Sequence, residues 1–193
     1  MKKGFTVVEV SILLVVFLIV ALLVIPLSLD DTVAEENKAQ WRKVQTNFSN
    51  ILYAINTDSD KENFDFKQQF NEVISGSVKN EIEPYKITFL NGTYPSKTYN
   101  FNNFKTTTSN AVFAYKLYAE PVDNVVGILM YDVNGIKGPN AWGKDVFGIN
   151  IYKDKYEPFC KADSLNAQKQ DCSKSGTGLC CSNYYLNGGS FDR

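Results

Sequence analysis

The sequence predicts an α+β protein. A long N-terminal helix, membrane-spanning in its first half and amphipathic in its second, packs on an antiparallel β-sheet, and a disulfide-closed C-terminal loop follows. Three observations predict this. An apolar run, VSILLVVFLIVALLVIPL, extends from Val10 to Leu27, close to the roughly 20 residues a helix needs to cross a hydrocarbon core. Trp41, Val44, Phe48, Ile51 and Ile55 then recur at helical steps of three and four. Beyond them AVFAYKLYA, VVGILMYDV and DVFGINIYK read as alternating or buried strands, and all four cysteines lie near the C-terminus.

At 193 residues the chain has room for one modest globular head beside a membrane segment. Its 20 basic and 21 acidic residues leave a net charge of −1, so the totals carry no electrostatic footprint for nucleic acid, and nucleic acid is not an expected partner. Lys153, Lys155 and Lys161 are read as a solvated face. Histidine is absent, which removes the commonest general base and imidazole metal ligand. The sequence shows no phosphate-cradling glycine loop, no carboxylate pair at diagnostic spacing and no nucleophile with a base. The expectation is a protein that is not an enzyme and has no catalytic residue.

The N-terminal run is too long for a signal-peptide core, and charged SLDDTVAEEN follows it in place of a small-residue cleavage site. The apolar part is therefore expected to remain in the mature protein. Lys2 and Lys3 precede the span, and Asp30, Asp31, Glu35 and Glu36 follow it, so the positive-inside bias holds the N-terminus in the cytoplasm and sends the head outward. Glu9 is out of place beside this run, because a carboxylate carried to the bilayer centre costs on the order of 2.5–3.5 kcal/mol. Pro26 lacks an amide donor, so it either kinks the helix or marks the end of the span.

The segment MKKGFTVVEV and the apolar span after it resemble the N-terminus of the type IV pilin and type II secretion pseudopilin family. The resemblance implies a basic leader, residues 1–4, cut by a prepilin peptidase between Gly4 and Phe5, with Phe5 as the methylated new N-terminus. It also implies that Glu9 is the intramembrane carboxylate and that Pro26 is the helix-kinking proline. Glu9 lies four residues after Phe5, about one helical turn, so amine and carboxylate of neighbouring subunits can pair inside a filament and set its register. The expected partners are prepilin peptidase, other pilin subunits, the inner-membrane assembly machinery and the lipid bilayer. The expected location is a single pass of the inner membrane with the head outside the cytoplasm, followed by assembly into a pilus or pseudopilus.

Continuous with the span, the amphipathic stretch would make Phe5 to Ile55 a helix about 75 Å long. Thr57 to Asp60 offers N-caps for a second helix carrying Phe66, Phe70 and Val73 and stopping at Gly76. KITFL, Asn91-Gly92 and TYPSKTY read as a hairpin with a type I′ turn. Asn91-Gly92-Thr93 also matches a glycosylation acceptor, but the turn reading is preferred. A sheet of three to five strands is expected on the long helix.

Between two strands, DVNGIKGPNAWGKDVF holds two acids, two asparagines and three glycines. Asp132, Asn134 and Asp145, with backbone carbonyls, are candidate calcium ligands of the hard-oxygen kind. Major pseudopilins of the resembled family carry a calcium loop. The spacing is not that of an EF-hand, and a long turn using Asn and Gly for positive φ is the preferred reading. No other cofactor is expected. Cys160, Cys172, Cys180 and Cys181 lack both histidine and C-x-x-C spacing, which favours disulfides over zinc. Adjacent Cys180 and Cys181 can hardly pair with each other, so one reaches back to Cys160 and the other to Cys172, in either assignment. Their tail resembles the cysteine-closed end of many pilins. Tyr184 and Tyr185 are read as partly buried in preference to adhesive.

The expected organisation is a leader at 1–4, an assembly helix at 5–29 and a head at 30–193. Within the head lie the outer half of the long helix (30–56), the short helix (60–76), the sheet (83–153) and the cysteine-rich tail (160–193). The expected function is that of a structural subunit, a minor pilin or pseudopilin. The alternative is a single-span, membrane-anchored ligand-binding domain.

Overall fold

The computed structural model describes residues 7–57 and 64–190, except for the side chains of residues 7–9 and 21–31. Gly4, Phe5 and the side chains of Glu9 and Pro26 lie outside the described residues, as do the caps expected at 58–60. Helix α1 runs Val7–Thr57 and includes Pro26 in its backbone. The chain divides into two compact units between Glu36 and Asn37.

In the first unit every side chain from Val10 to Val20 is exposed. Among the described residues no helix is long and apolar enough to cross a membrane. The described part of the apolar run ends at Val20, well short of the roughly 20 residues a crossing takes, and the rest of the run lies outside the described side chains.

The second unit is α+β. Of the expected stripe on α1, Trp41, Val44, Phe48 and Ile55 are buried in its core, whereas Ile51 is only partly buried and the neighbouring Leu52 is buried in its place. Helix α2 (Phe66–Ser75) starts later than the sequence suggests, because its cap is Asp65, whose carboxylate accepts the amides of Lys67 at 2.8 Å and Gln68 at 3.4 Å. Its buried face is Phe66, Phe70 and Ile74.

The sheet has six antiparallel strands in chain order: β1 (Asn80–Glu81), β2 (Lys105–Thr106), β3 (Val112–Val122), β4 (Val125–Asp132), β5 (Val146–Ile151) and β6 (Tyr156–Pro158). The long central strands are the three the sequence shows. The sheet exceeds the expected three to five strands because β1 and β2 on one side and β6 on the other are only two or three residues long, too short to leave a period-two pattern. The tight turn between β3 and β4 is Asp123-Asn124, with φ of 51° and 65°, the two left-handed residues of a type I′ connection. Pro121, which has no amide to donate, sits where the β3–β4 register breaks between Leu117 and Val122.

Alternation along the central strands splits the core into two. Phe113, Leu129, Phe147, Ile149 and Ile151 face α1 and α2, while Val112, Ala114, Ile128, Met130 and Val146 face Phe101, Phe104, Trp142 and Phe159. Both faces of the sheet are thus covered, which is why VVGILMYDV is apolar almost throughout.

The expected Asn91-Gly92 hairpin is corrected. Gly92 has φ of 82°, and the amide of Phe89 reaches the Thr93 carbonyl at 2.8 Å, but KITFL forms no hairpin strand. Its partners are distant. Thr88 bridges Ala141 in parallel, and Leu90 and Asn91 donate to the carbonyls of Thr177 and Gly176. Long-range pairing overrides the local turn signal.

Candidate functional site

The loop from Val133 to Asp145 joins β4 to β5, and its two flanking acids, Asp132 and Asp145, are both fully buried. Asp145 organises the loop. Its Oδ1 accepts the Ala141 amide at 2.8 Å, and its Oδ2 accepts the Asn140 amide at 2.9 Å and the Asn134 side-chain amide at 3.2 Å. Gly135, Asn140 and Gly143 supply the positive φ angles of 72°, 50° and 81°, in line with the turn reading of this segment. Asp132 faces another element: Tyr85 donates its hydroxyl to Asp132 Oδ2 at 2.6 Å.

Burial pushes the Asp132 carboxyl up to about 8. The Tyr85 hydrogen bond opposes this, and the neighbouring charge of Asp145 adds to it. Asp145 is also raised by burial, against the pull of the Ala141 and Asn140 amides and the Asn134 side chain. The Tyr85 phenol is driven up by its own burial first and by the Asp132 charge second. At neutral pH Asp132 therefore holds its proton, while Asp145 anchors the loop through the Ala141 and Asn140 amides and the Asn134 side chain.

Asp132 Oδ1 and Asn134 Oδ1 are buried acceptors with no hydrogen-bond partner among the described residues. The Asn134 oxygen suits a hard cation as it stands, and Asp132 Oδ1 becomes a ligand only when a cation displaces the carboxyl proton, whereas both oxygens of Asp145 are already engaged by the chain. The structure thus brings the three sequence-predicted residues to one loop and assigns them different work.

The tail is a second built region. Cys160 pairs with Cys180 and Cys172 with Cys181, which resolves the two assignments the sequence leaves open. Helix α3 (Leu165–Asp171) is capped by Ser164, whose hydroxyl accepts the Ala167 amide at 3.3 Å. The Asp171 carboxylate gathers the Thr177 amide and hydroxyl and the Cys180 amide at 2.7 to 2.9 Å. Helix α4 (Cys181–Tyr184) then meets α1, where Trp41 Nε1 donates to the Ser182 carbonyl at 2.8 Å and Arg42 reaches the Tyr185 carbonyl at 3.1 Å.

Tyr184 and Tyr185 are buried, Tyr185 donating to the Gly143 carbonyl at 3.0 Å, so they offer no adhesive surface. Asp163 lies beside Cys160 and Cys180, but sulfurs joined in a disulfide provide no thiolate for a metal. In the lysine group, Lys155 and Lys161 are both paired with Glu157, at 3.1 and 3.4 Å, which reduces their value as an anion-binding patch.

Sequence reasoning missed Tyr85, the Asp171 cradle and the Trp41–Ser182 link. Each joins residues through tertiary structure, without a local motif. Compared with protein-family models, with curated proteins and with solved structures, the chain matches none.

Proposed function

We propose that the chain is a structural subunit, a minor pilin or pseudopilin, of a type IV pilus or type II secretion-like filament. In this reading prepilin peptidase cuts between Gly4 and Phe5, residues 5–29 form the membrane and assembly helix with Glu9 and Pro26 in their family roles, and the head faces outward. The observation that carries the proposal is the change of character along α1. From Val10 to Val20 every side chain is exposed, whereas from Trp41 onward one side chain per turn is buried in the head. A continuous apolar surface of that length needs lipid or another apolar helix to cover it. The leader-like MKKGFTVVEV and the two disulfides, which belong to an oxidising compartment, favour the same reading.

The test is incorporation into sheared filaments. Replacing exposed Leu14 by lysine is expected to remove the chain from the filament fraction while leaving the head's near-ultraviolet circular dichroism unchanged. A wild-type chain found only in membranes and never in sheared material would favour the anchored ligand-binding alternative. That alternative draws on an apolar cavity of about 110 Å³ lined by Val44, Phe48, Ile51, Ile74, Phe113 and Leu129.

A second reading concerns calcium, favoured by the unpartnered oxygens of Asp132 and Asn134. Calcium added to chelated protein would then raise its thermal midpoint. An unchanged midpoint removes this reading without touching the first.

A further inference from the structure

The chain contains two Asn-x-Thr/Ser acceptor sequences, Asn47-Phe48-Ser49 and Asn91-Gly92-Thr93, and the fold treats them differently. Asn47 lies on α1, where residues two apart project about 200° from each other. Its hydroxyl partner is therefore turned away. Ser49 instead contacts the Tyr156 hydroxyl at 3.0 Å, and the residue between them, Phe48, is buried in the core. A transferase cannot bind that segment without unwinding the helix.

Asn91, Gly92 and Thr93 are all exposed. Gly92 turns the chain with φ of 82° and has open space around its Cα. Thr93 folds back on the acceptor, its hydroxyl and its amide donating to Asn91 Oδ1 at 2.7 and 3.0 Å. Both donors act on the oxygen. The amide nitrogen Nδ2, the atom a sugar would join, makes only a long 3.5 Å approach to the Ser175 carbonyl, at the limit of a hydrogen bond.

We propose that Asn91 is an N-glycosylation site, modified on Nδ2 by a membrane transferase that uses a lipid-pyrophosphate-linked sugar. The Asn91 Nδ2–C1 bond forms as the C1–oxygen bond to the pyrophosphate breaks. The electron pair leaves with the lipid pyrophosphate, the amide gives one proton to a base of the transferase, and nothing is oxidised or reduced. The turn is seated on the cysteine-closed tail, where the Leu90 and Asn91 amides donate to the Thr177 and Gly176 carbonyls. A glycan there stands over the loop between Cys172 and Cys180 and shields it from proteases. The inference rests on the outward-facing head of the proposed function.

The experiment is peptide mass spectrometry of the protein purified from its own cells, with and without peptide-N-glycosidase, together with protease accessibility of the head on intact spheroplasts. The expected result is a sugar-bearing Asn91 peptide, an unmodified Asn47 peptide, complete loss of the sugar in Asn91→Gln and Thr93→Ala, and its retention in Thr93→Ser. An unmodified Asn91 in a protein whose head is protease-accessible overturns the site and leaves the filament reading standing. An unmodified Asn91 in a protected head overturns both.

Discussion

Trp41 and Ser182, on α1 and at the start of the last helix, are joined by a 2.8 Å hydrogen bond from the indole to the backbone carbonyl. The same indole stacks on Phe147 of β5 with ring centres 4.9 Å apart. One fully buried side chain thus ties the long helix, the sheet and the cysteine-closed tail together.

Replacing Trp41 by phenylalanine keeps the stack but orphans the Ser182 carbonyl, and is expected to cost about 2 kcal/mol. Replacing it by alanine, which opens a cavity as well, is expected to cost about 4 kcal/mol. Urea denaturation measures both, and equal losses would mean that the ring's packing adds nothing beyond the hydrogen bond.

The disulfides close sequence separations of 20 and 9 residues. Loop entropy alone ranks Cys160–Cys180 ahead, at about 3.3 against about 2.6 kcal/mol. Burial points the other way, because Cys172 and Cys181 are almost wholly enclosed. Removing Cys172 and Cys181 together is expected to lower stability the more, since a difference of about 0.7 kcal/mol in loop entropy is smaller than the loss from emptying a packed site.

Glycine at 143 is demanded by both conformation and space. With φ of 81°, an added Cβ would meet Cys181 Sγ and the Gly178 carbonyl. Gly143→Ala is expected to cost about 3 kcal/mol, combining left-handed strain with overlap. Gly92 has a similar φ but open surroundings, so Gly92→Ala should lose only about 1 kcal/mol. Thermal midpoints of the two variants separate the contributions.

Asp132 gives a pH signature. Its carboxyl sits at about 8 in the folded protein against a reference value of 3.8. Below the reference value both states hold the proton and its contribution to stability is fully present. As pH rises towards 8 the unfolded chain loses the proton first, so that stability falls, by at most about 1.4 kcal/mol per pH unit. Asp132→Asn is expected to flatten this decline. Glu157, held low by its hydrogen bond with Lys155, slopes the opposite way at acid pH. The quantity to read is therefore the difference between variant and wild type from pH 5 to 8, and a difference independent of pH would contradict the assignment.

What was legible in the sequence was what repeats locally. Trp41, Val44 and Phe48 announced the buried helix face, and the apolar runs around Phe113, Leu129 and Ile149 announced the central strands. The Asp132 to Asp145 loop stood out by composition. Less was legible where partners are far apart. Tyr85 and Asp132 are 47 residues apart, and Thr88 pairs with Ala141. The Asp123-Asn124 turn carried a readable signal between two apolar strands, but the stronger-looking Asn91-Gly92 drew the hairpin reading instead. Disulfide assignment required the positions of Cys160 and Cys172 relative to α4, which no spacing rule supplies.

The most direct test of the filament account is intact mass and N-terminal sequencing of the protein from cells with and without a prepilin peptidase. The account predicts a mature chain that begins at methylated Phe5, and that this processing is lost when the peptidase is absent. A chain that begins at Met1 in both strains would contradict it.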